Sequence, residues 1–391
     1  MEKKIKVAFF IKGLRIGGTE RVLISYLKGL AEDETFDIRL IIHENSSRNL
    51  LLGDVPKNIK IEYILSEKLD NAIEESSKNR EKNILKKLAY NILMPYGKKL
   101  RRKKIIEYVE REKIDILVDF ERSFIKFAEK IKCKKVLWNH FTFAGIKNKE
   151  IWVEYFNKYS KIIAISKEME KEILEFYGEK SKVEMLYNPQ YFMPIEEKAR
   201  DKSNLTKEEL ELLEDKYICY IGRVEKVKGL EDLIEAYGKI NVLEKLYIIG
   251  EGTEKTKLEN LVKELKLEDR ILFLGGKKNP FIWMRNSELF VTTTYGEGLP
   301  TTFIESMICG TPIMSYDCPT GPRDILGEGK YGKLIKMGDK ENFSKELEYL
   351  LKNPEIIEKY REKIPEKIKE FSIENVIDKF KEILKKISGE N

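Results

Sequence analysis

Histidine is nearly absent from this chain, with two residues in 391, His43 and His140. That scarcity excludes a histidine-rich metal centre, and no Asp-x-Asp pair offers another way to hold a divalent ion on a diphosphate. Metal and cofactor independence is therefore expected. The four cysteines, Cys133, Cys219, Cys309 and Cys318, show no Cys-x-x-Cys spacing. Each lies in or beside an apolar run, so free core thiols are expected, not disulfides or metal ligands. No apolar stretch approaches the ~18 residues needed to cross a bilayer. The run Val7-Ala8-Phe9-Phe10-Ile11 is too short for a signal-peptide core and reads as a first strand. A soluble, cytoplasmic protein is the expectation. Low-complexity tracts and short repeats are also lacking.

What is present suits a packed globular protein: 42% hydrophobic and 36% charged residues. The length exceeds one ordinary core and predicts two domains. Net charge is +6, divided as +10 over residues 1–190 and −4 over 191–391. The basic half is expected to meet an anionic surface. Short β-type runs alternate with helical patterns throughout, the signature of parallel sheets with crossover helices. Strands are predicted at 6–11, 37–43, 59–64, 114–120, 135–138, 162–165 and 183–187, then at 217–221, 245–249, 271–274, 289–292, 312–315 and 333–335. The intervening helices include 84–90, 98–112, 124–130 and 300–309, and two helical stretches (355–370 and 373–387) finish the chain. The predicted fold is α/β: two doubly wound Rossmann-like domains with an interdomain cleft. Residues 1–190 form the first domain, 191–215 a linker, and 216–365 the second domain. The final stretch 366–391 forms a helix that returns to the first domain.

In such folds ligands bind beyond the carboxyl ends of the strands, and four segments lie there. Tyr295-Gly296-Glu297-Gly298-Leu299-Pro300 runs into a helix carrying Glu305. It combines carboxylates for hydroxyl groups, a small-residue turn, and a helix start that favours anions. Pro300 suits the first helical position, where its missing N–H costs nothing. Gly222-Arg223 with Lys228-Gly229 spans a strand-to-helix loop whose cations suit a departing diphosphate, although surface residues are the bland reading. Lys12 to Glu20 contains the pair Gly17-Gly18, which permits close backbone approach but is also compatible with a plain turn. His140 ends a strand, where it either contacts a ligand or satisfies itself against backbone. His43 reads as structural.

These segments together resemble the retaining glycosyltransferases of family 4, which have the GT-B fold. Ile163-Ala164-Ile165-Ser166-Lys167, Leu246 to Gly252 and Leu267 to Gly275 match as well, and Cys318 to Asp324 is similar to a branch that builds surface polysaccharides. The resemblance is dense over 217–340 and sparse from 44 to 130. It implies that Glu305 holds ribose hydroxyls and that Arg223 and Lys228 hold the diphosphate. It implies too that Glu297, with the backbone of Gly298 and Leu299, faces the donor sugar. Thr301 would touch phosphate, Gly17 and Gly18 would approach the diphosphate, and His140 would contact the donor. One departure is Asp324, where many relatives carry Glu.

The implied reaction moves a hexose or N-acetylhexosamine, retaining anomeric configuration, from a UDP-sugar to a lipid-linked saccharide acceptor. Residues 82–113 hold Lys82, Lys86, Lys87, Lys98, Lys99, Arg101, Arg102, Lys103 and Lys104, interleaved with Ile84, Leu85, Leu88, Ile92, Leu93 and Met94. Such a segment either lies on an anionic membrane, peripherally, or is a solvated helix face covering core; the sequence leaves both open. The rival enzyme is a nucleotide-sugar epimerase of the same fold. A nucleic-acid partner is not expected, since no reading helix or aromatic-interleaved basic repeat is found.

Overall fold

The computed structural model describes residues 4–15, 17–78, 80–140, 143, 148–297 and 299–389. It divides into two compact units, Met1–Gln190 with Ile373–Asn391, and Tyr191–Ser372. The first unit is built on seven parallel strands: β1 (Ile5–Ile11), β2 (Phe36–Ile42), β3 (Lys60–Tyr63), β4 (Ile116–Asp119), β5 (Lys134–Asn139), β6 (Lys161–Ala164) and β7 (Val183–Met185). Their order is β3-β2-β1-β4-β5-β6-β7. Val7 of β1 stands opposite Ile38 on one side and Ile116 on the other. Because helices cover both faces, β1 reads as a near-continuous apolar run with no alternation.

The second unit repeats the plan with six strands: β8 (Tyr217–Ile221), β9 (Lys245–Ile249), β10 (Ile271–Gly275), β11 (Phe290–Thr292), β12 (Ile313–Asp317) and β13 (Lys333–Lys336). The order β10-β9-β8-β11-β12-β13 again reverses beside its first strand. In each sheet the chain leaves the first strand in one direction and the fourth in the other. The loops after β1 and β4, and after β8 and β11, therefore open at a switch point where ligands bind.

The helix Ile373–Ser388 packs in the first unit, where Phe380 lies 5.3 Å from the ring of Tyr26 and 5.2 Å from that of Trp138. Lys381 pairs with Asp33 at 3.0 Å.

Four expectations are corrected. The stretch 191–215 is not a bare linker. It carries helices Phe192–Arg200 and Lys207–Leu213, grouped with the second unit. Thr206 and Glu209 cap the latter reciprocally, at 3.2 and 3.0 Å. The second unit accordingly begins at Tyr191 and runs to Ser372. The helices expected at 84–90 and 98–112 are one, Ile84–Glu112, with Pro95 inside it. Residues 124–130 form only the short turn Ala128–Lys130, because the Asp119 carboxylate takes the Ser123 and Phe124 amides at 2.6 and 3.1 Å. An unanticipated helix, Glu67–Ser77, buries Asp70 and Ser76 where an apolar stripe would be sought.

Candidate active site

The second unit's site begins where β8 and β9 end. Gly250 donates to the Gly275 carbonyl at 3.0 Å, and a Cβ placed on it would fall 1.8 Å from the Gly222 carbonyl oxygen. Only glycine permits that approach. Val224 is then anchored at both backbone groups, donating to the Glu251 carbonyl at 2.9 Å and accepting from the Glu254 amide at 3.1 Å. The Tyr220 hydroxyl donates to the Arg223 carbonyl at 2.8 Å. Arg223 is thus an exposed side chain on a fixed backbone, and no carboxylate among the described residues pairs with its guanidinium.

The same loop ends in a turn, Lys226–Lys228, followed by Gly229 at φ +64°. A Cβ there would sit 2.2 Å from the Thr293 carbonyl oxygen, so the loop after β8 presses on the loop after β11. Three hydrogen bonds stitch the two loops. Thr293 Oγ1 donates to the Gly229 carbonyl at 2.8 Å, the Tyr295 amide to the Val227 carbonyl at 2.9 Å, and Thr294 Oγ1 to the Val227 carbonyl at 3.3 Å. The stitching places the Lys228 ammonium on the Glu297 carboxylate, with side chains only 15% and 18% exposed. The Thr320 hydroxyl donates to the Glu297 carbonyl, and the Tyr295 hydroxyl to the Asp232 carboxylate. Asp232 also accepts from Tyr316 at 3.1 Å. Burial and then the charge of Glu297 push the Cys318 thiol up to about 12, so it is a poor nucleophile at neutral pH.

The helix after this loop is Thr301–Ile308, with Pro300 outside it as the cap (φ −69°, ψ 104°), one residue later than expected. The Phe303 amide donates back to the Pro300 carbonyl at 3.1 Å. Leu299 is buried, whereas Thr301 and Glu305 are half-buried. Glu305 is four residues into the helix from Thr301, ~6 Å along its axis. Gly298 lies outside the described residues. Arg223, Lys228, Glu297, Leu299, Thr301 and Glu305 therefore all belong to the carboxyl ends of β8 and β11.

The first unit gathers the remaining predicted residues by itself, beyond β1 and β5. Gly17, extended at φ −155° and ψ 164°, precedes the helix Gly18–Ala31. A Cβ on Gly18 would meet nothing within 4 Å, which leaves open space above its backbone. His140 donates to the Phe120 backbone, its ring 4.8 Å from that of Phe120. Its Nε2 is buried and has no partner among the described residues. Burial, aided by the charge of Arg122, lowers its pKa to about 4. The imidazole is neutral at pH 7, with Nε2 a bare acceptor. His43 behaves similarly, lowered to about 3 by burial and by Arg101 and Lys12.

Several contributors escaped the sequence reading. Tyr220, Asp232, Thr320 and Tyr316 fix the second unit's loops. At the end of β4, Glu121 accepts from the Lys12 amide at 2.6 Å, and Arg122, at φ +58°, lies 5.1 Å over the Trp152 ring. The available signal was the run Phe120-Glu121-Arg122-Ser123, charged residues directly after a wholly buried strand.

Residues 201–371 match the family model described as glycosyl transferases group 1. The chain is 29% identical over 375 residues to the N-acetylgalactosamine-N,N'-diacetylbacillosaminyl-diphospho-undecaprenol 4-alpha-N-acetylgalactosaminyltransferase of Campylobacter jejuni, covering 94% of this chain and 95% of that one. It is 27% identical over 302 residues to the lipopolysaccharide 1,6-galactosyltransferase of Escherichia coli, covering 73% and 79%. Among solved structures, the Anabaena HepE protein in complex with UDP aligns at TM-score 0.76 and 16% identity, covering 98% of this chain and all of that one. The lipopolysaccharide outer core galactosyltransferase WaaB aligns at 0.73 and 19%, with the same coverage. At those identities the structures speak to the fold.

His140 carries a pH signature. Its folded pKa lies below the ordinary 6.5, so its contribution to stability is complete above pH 6.5 and is lost as pH falls towards 4. Replacing it with glutamine is expected to remove about 2 kcal/mol of the stability loss between pH 7 and pH 5. Chemical denaturation at both pH values measures this; an unchanged pH slope would contradict it.

Proposed function

On the premise that this chain is a GT-B glycosyltransferase of the family-4 type, we propose that it transfers a hexosyl or N-acetylhexosaminyl unit from a UDP-sugar to a lipid-linked saccharide. The observation that carries the proposal is the stitched pair of loops holding Arg223, Lys228 and Glu297 at the carboxyl ends of β8 and β11. Arg223 supplies a planar fork and Lys228 a point charge for the diphosphate, in place of a metal. Glu305 takes the ribose hydroxyls. Glu297, with the backbone of Gly298 and Leu299, takes the sugar, and Thr301 lies beside the phosphate. For the first unit, the resemblance alone assigns Gly17, Gly18 and His140 to the donor.

The anomeric bond to the diphosphate breaks as the acceptor oxygen bonds to the same carbon. A diphosphate oxygen takes the acceptor's proton, and attack on the leaving-group face retains configuration. Catalysis then rests on positioning and charge stabilisation. The names of the relatives support the acceptor class: one acts on a diphospho-undecaprenol-linked saccharide, another on lipopolysaccharide.

Incubation with a panel of sugar nucleotides separates transfer, which releases the nucleotide diphosphate, from epimerisation, which does not. Arg223→Ala is expected to lower turnover about 100-fold to 1,000-fold in a protein that stays folded. Glu305→Ala should mainly weaken donor binding. Near-normal turnover in the first variant, or unchanged donor affinity in the second, would contradict the assignment.

The second half of the helix Ile84–Glu112 covers core with Ile105, Tyr108 and Val109, whereas its first half favours peripheral attachment to an anionic membrane. Ile84, Leu85, Leu88, Ile92 and Tyr96 are each more than half exposed, so they cover no core of this chain. Further along the helix, Lys98, Lys99, Arg102 and Lys103 are exposed. Apolar side chains entering the headgroup boundary add ~1.5–3 kcal/mol each when fully buried, and basic residues ~1 kcal/mol each near an anionic surface. Among the described residues no helix is long and apolar enough to cross the membrane. Flotation with liposomes containing acidic lipid should recover the protein, and serine at positions 84, 88 and 92 should abolish recovery. No binding of the wild type at low salt would end this part of the proposal.

A further inference from the structure

Lys228 pairs with Glu297, and this pair joins the loop after β8 to the loop after β11. Building on the donor assignment above, both ends of the pair belong to one ligand: the ammonium to the diphosphate, the carboxylate to the sugar. The two demands compete. A diphosphate must draw Lys228 off Glu297, and doing so strands a mostly buried carboxylate beside a ligand of its own sign.

We infer that the Lys228–Glu297 pair makes the site discriminate against free nucleotide diphosphate and in favour of the nucleotide sugar. The sugar brings hydroxyl donors that satisfy Glu297 once its cation has moved to the diphosphate. The bare nucleotide brings none. Specificity arises from a penalty on the wrong ligand as much as from contacts with the right one. The consequence is weakened inhibition by the released product.

The surroundings give Glu297 no easy escape. Its carbonyl is held by the Thr320 hydroxyl, and its loop by the Tyr295 amide on the Val227 carbonyl. Its side chain is mostly buried, so solvent screens its charge weakly. Lys228 is equally confined, since Gly229 at φ +64° is pressed against the Thr293 carbonyl.

The test is calorimetric titration of UDP, GDP and ADP into wild type, Glu297→Gln and Lys228→Met. Glu297→Gln keeps the shape and removes the competing charge. It is expected to bind the preferred nucleotide roughly fivefold to tenfold more tightly than wild type does. Glu297→Ala, which removes the side-chain contact altogether, should shift affinity in the same direction. Lys228→Met should bind it more weakly. Equal or weaker nucleotide binding by both Glu297 variants overturns the inference while leaving the donor assignment intact. Failure of the wild type to bind any of the three nucleotides would instead remove the donor assignment, and this inference with it.

Discussion

The ion pair between Lys228 and Glu297 is held in a mostly buried setting, where a lone charge of either sign would be costly to keep. Much of the second unit's local architecture serves to bring these two groups together. Gly250 allows β8 and β9 to end in contact, and Gly229 allows the next loop to reach the Thr293 carbonyl. Asp232, gathering the hydroxyls of Tyr295 and Tyr316, ties the helix after β8 to the loop after β11 and to β12. The charges are thus fixed by backbone approach and by hydrogen bonds that do not themselves involve a ligand. Such preorganisation lets a charged group stabilise a developing charge without reorganising first.

The two units share one strand order but use it differently. In the second, the switch-point loops are rich in glycine and charge, and side-chain hydroxyls bond to backbone across them. In the first, the loops after β1, β5 and β4 carry, in turn, an open glycine at Gly18, a neutral histidine with a bare acceptor, and the strained Arg122 over Trp152. A long helix with an exposed apolar face is added there too. The shared topology does not dictate these differences; function resides in what the loops and the added helix present.

The thirteen strands of the described residues were legible because buried parallel strands are short apolar runs bounded by turn residues. The positions of Glu297, Arg223 and Lys228 after strands were legible, but for Arg223 and Lys228 spacing alone favoured plain surface residues, and the roles proposed for all three come from the resemblance. What failed was local. The helices within 191–215 are too polar and short for periodicity to reveal, and they depend on the Thr206–Glu209 cap and on packing within their unit. The gap left between 84–90 and 98–112 is helical too, and Pro95 is accommodated inside the single long helix. Residues 124–130 had a helical pattern, but Asp119 captured the amides that a helix would begin from. Supporting groups such as Tyr220 and Thr320 bond to backbone carbonyls distant or unremarkable in sequence, and no spacing rule points to them.

The account stands most directly on where an anion goes. A crystal structure of this protein with its preferred nucleotide diphosphate is predicted to show both phosphates within hydrogen-bond distance of Arg223 and Lys228, the ribose on Glu305, and Lys228 withdrawn from Glu297. A nucleotide bound elsewhere, or bound there with the Lys228–Glu297 pair intact, would contradict it.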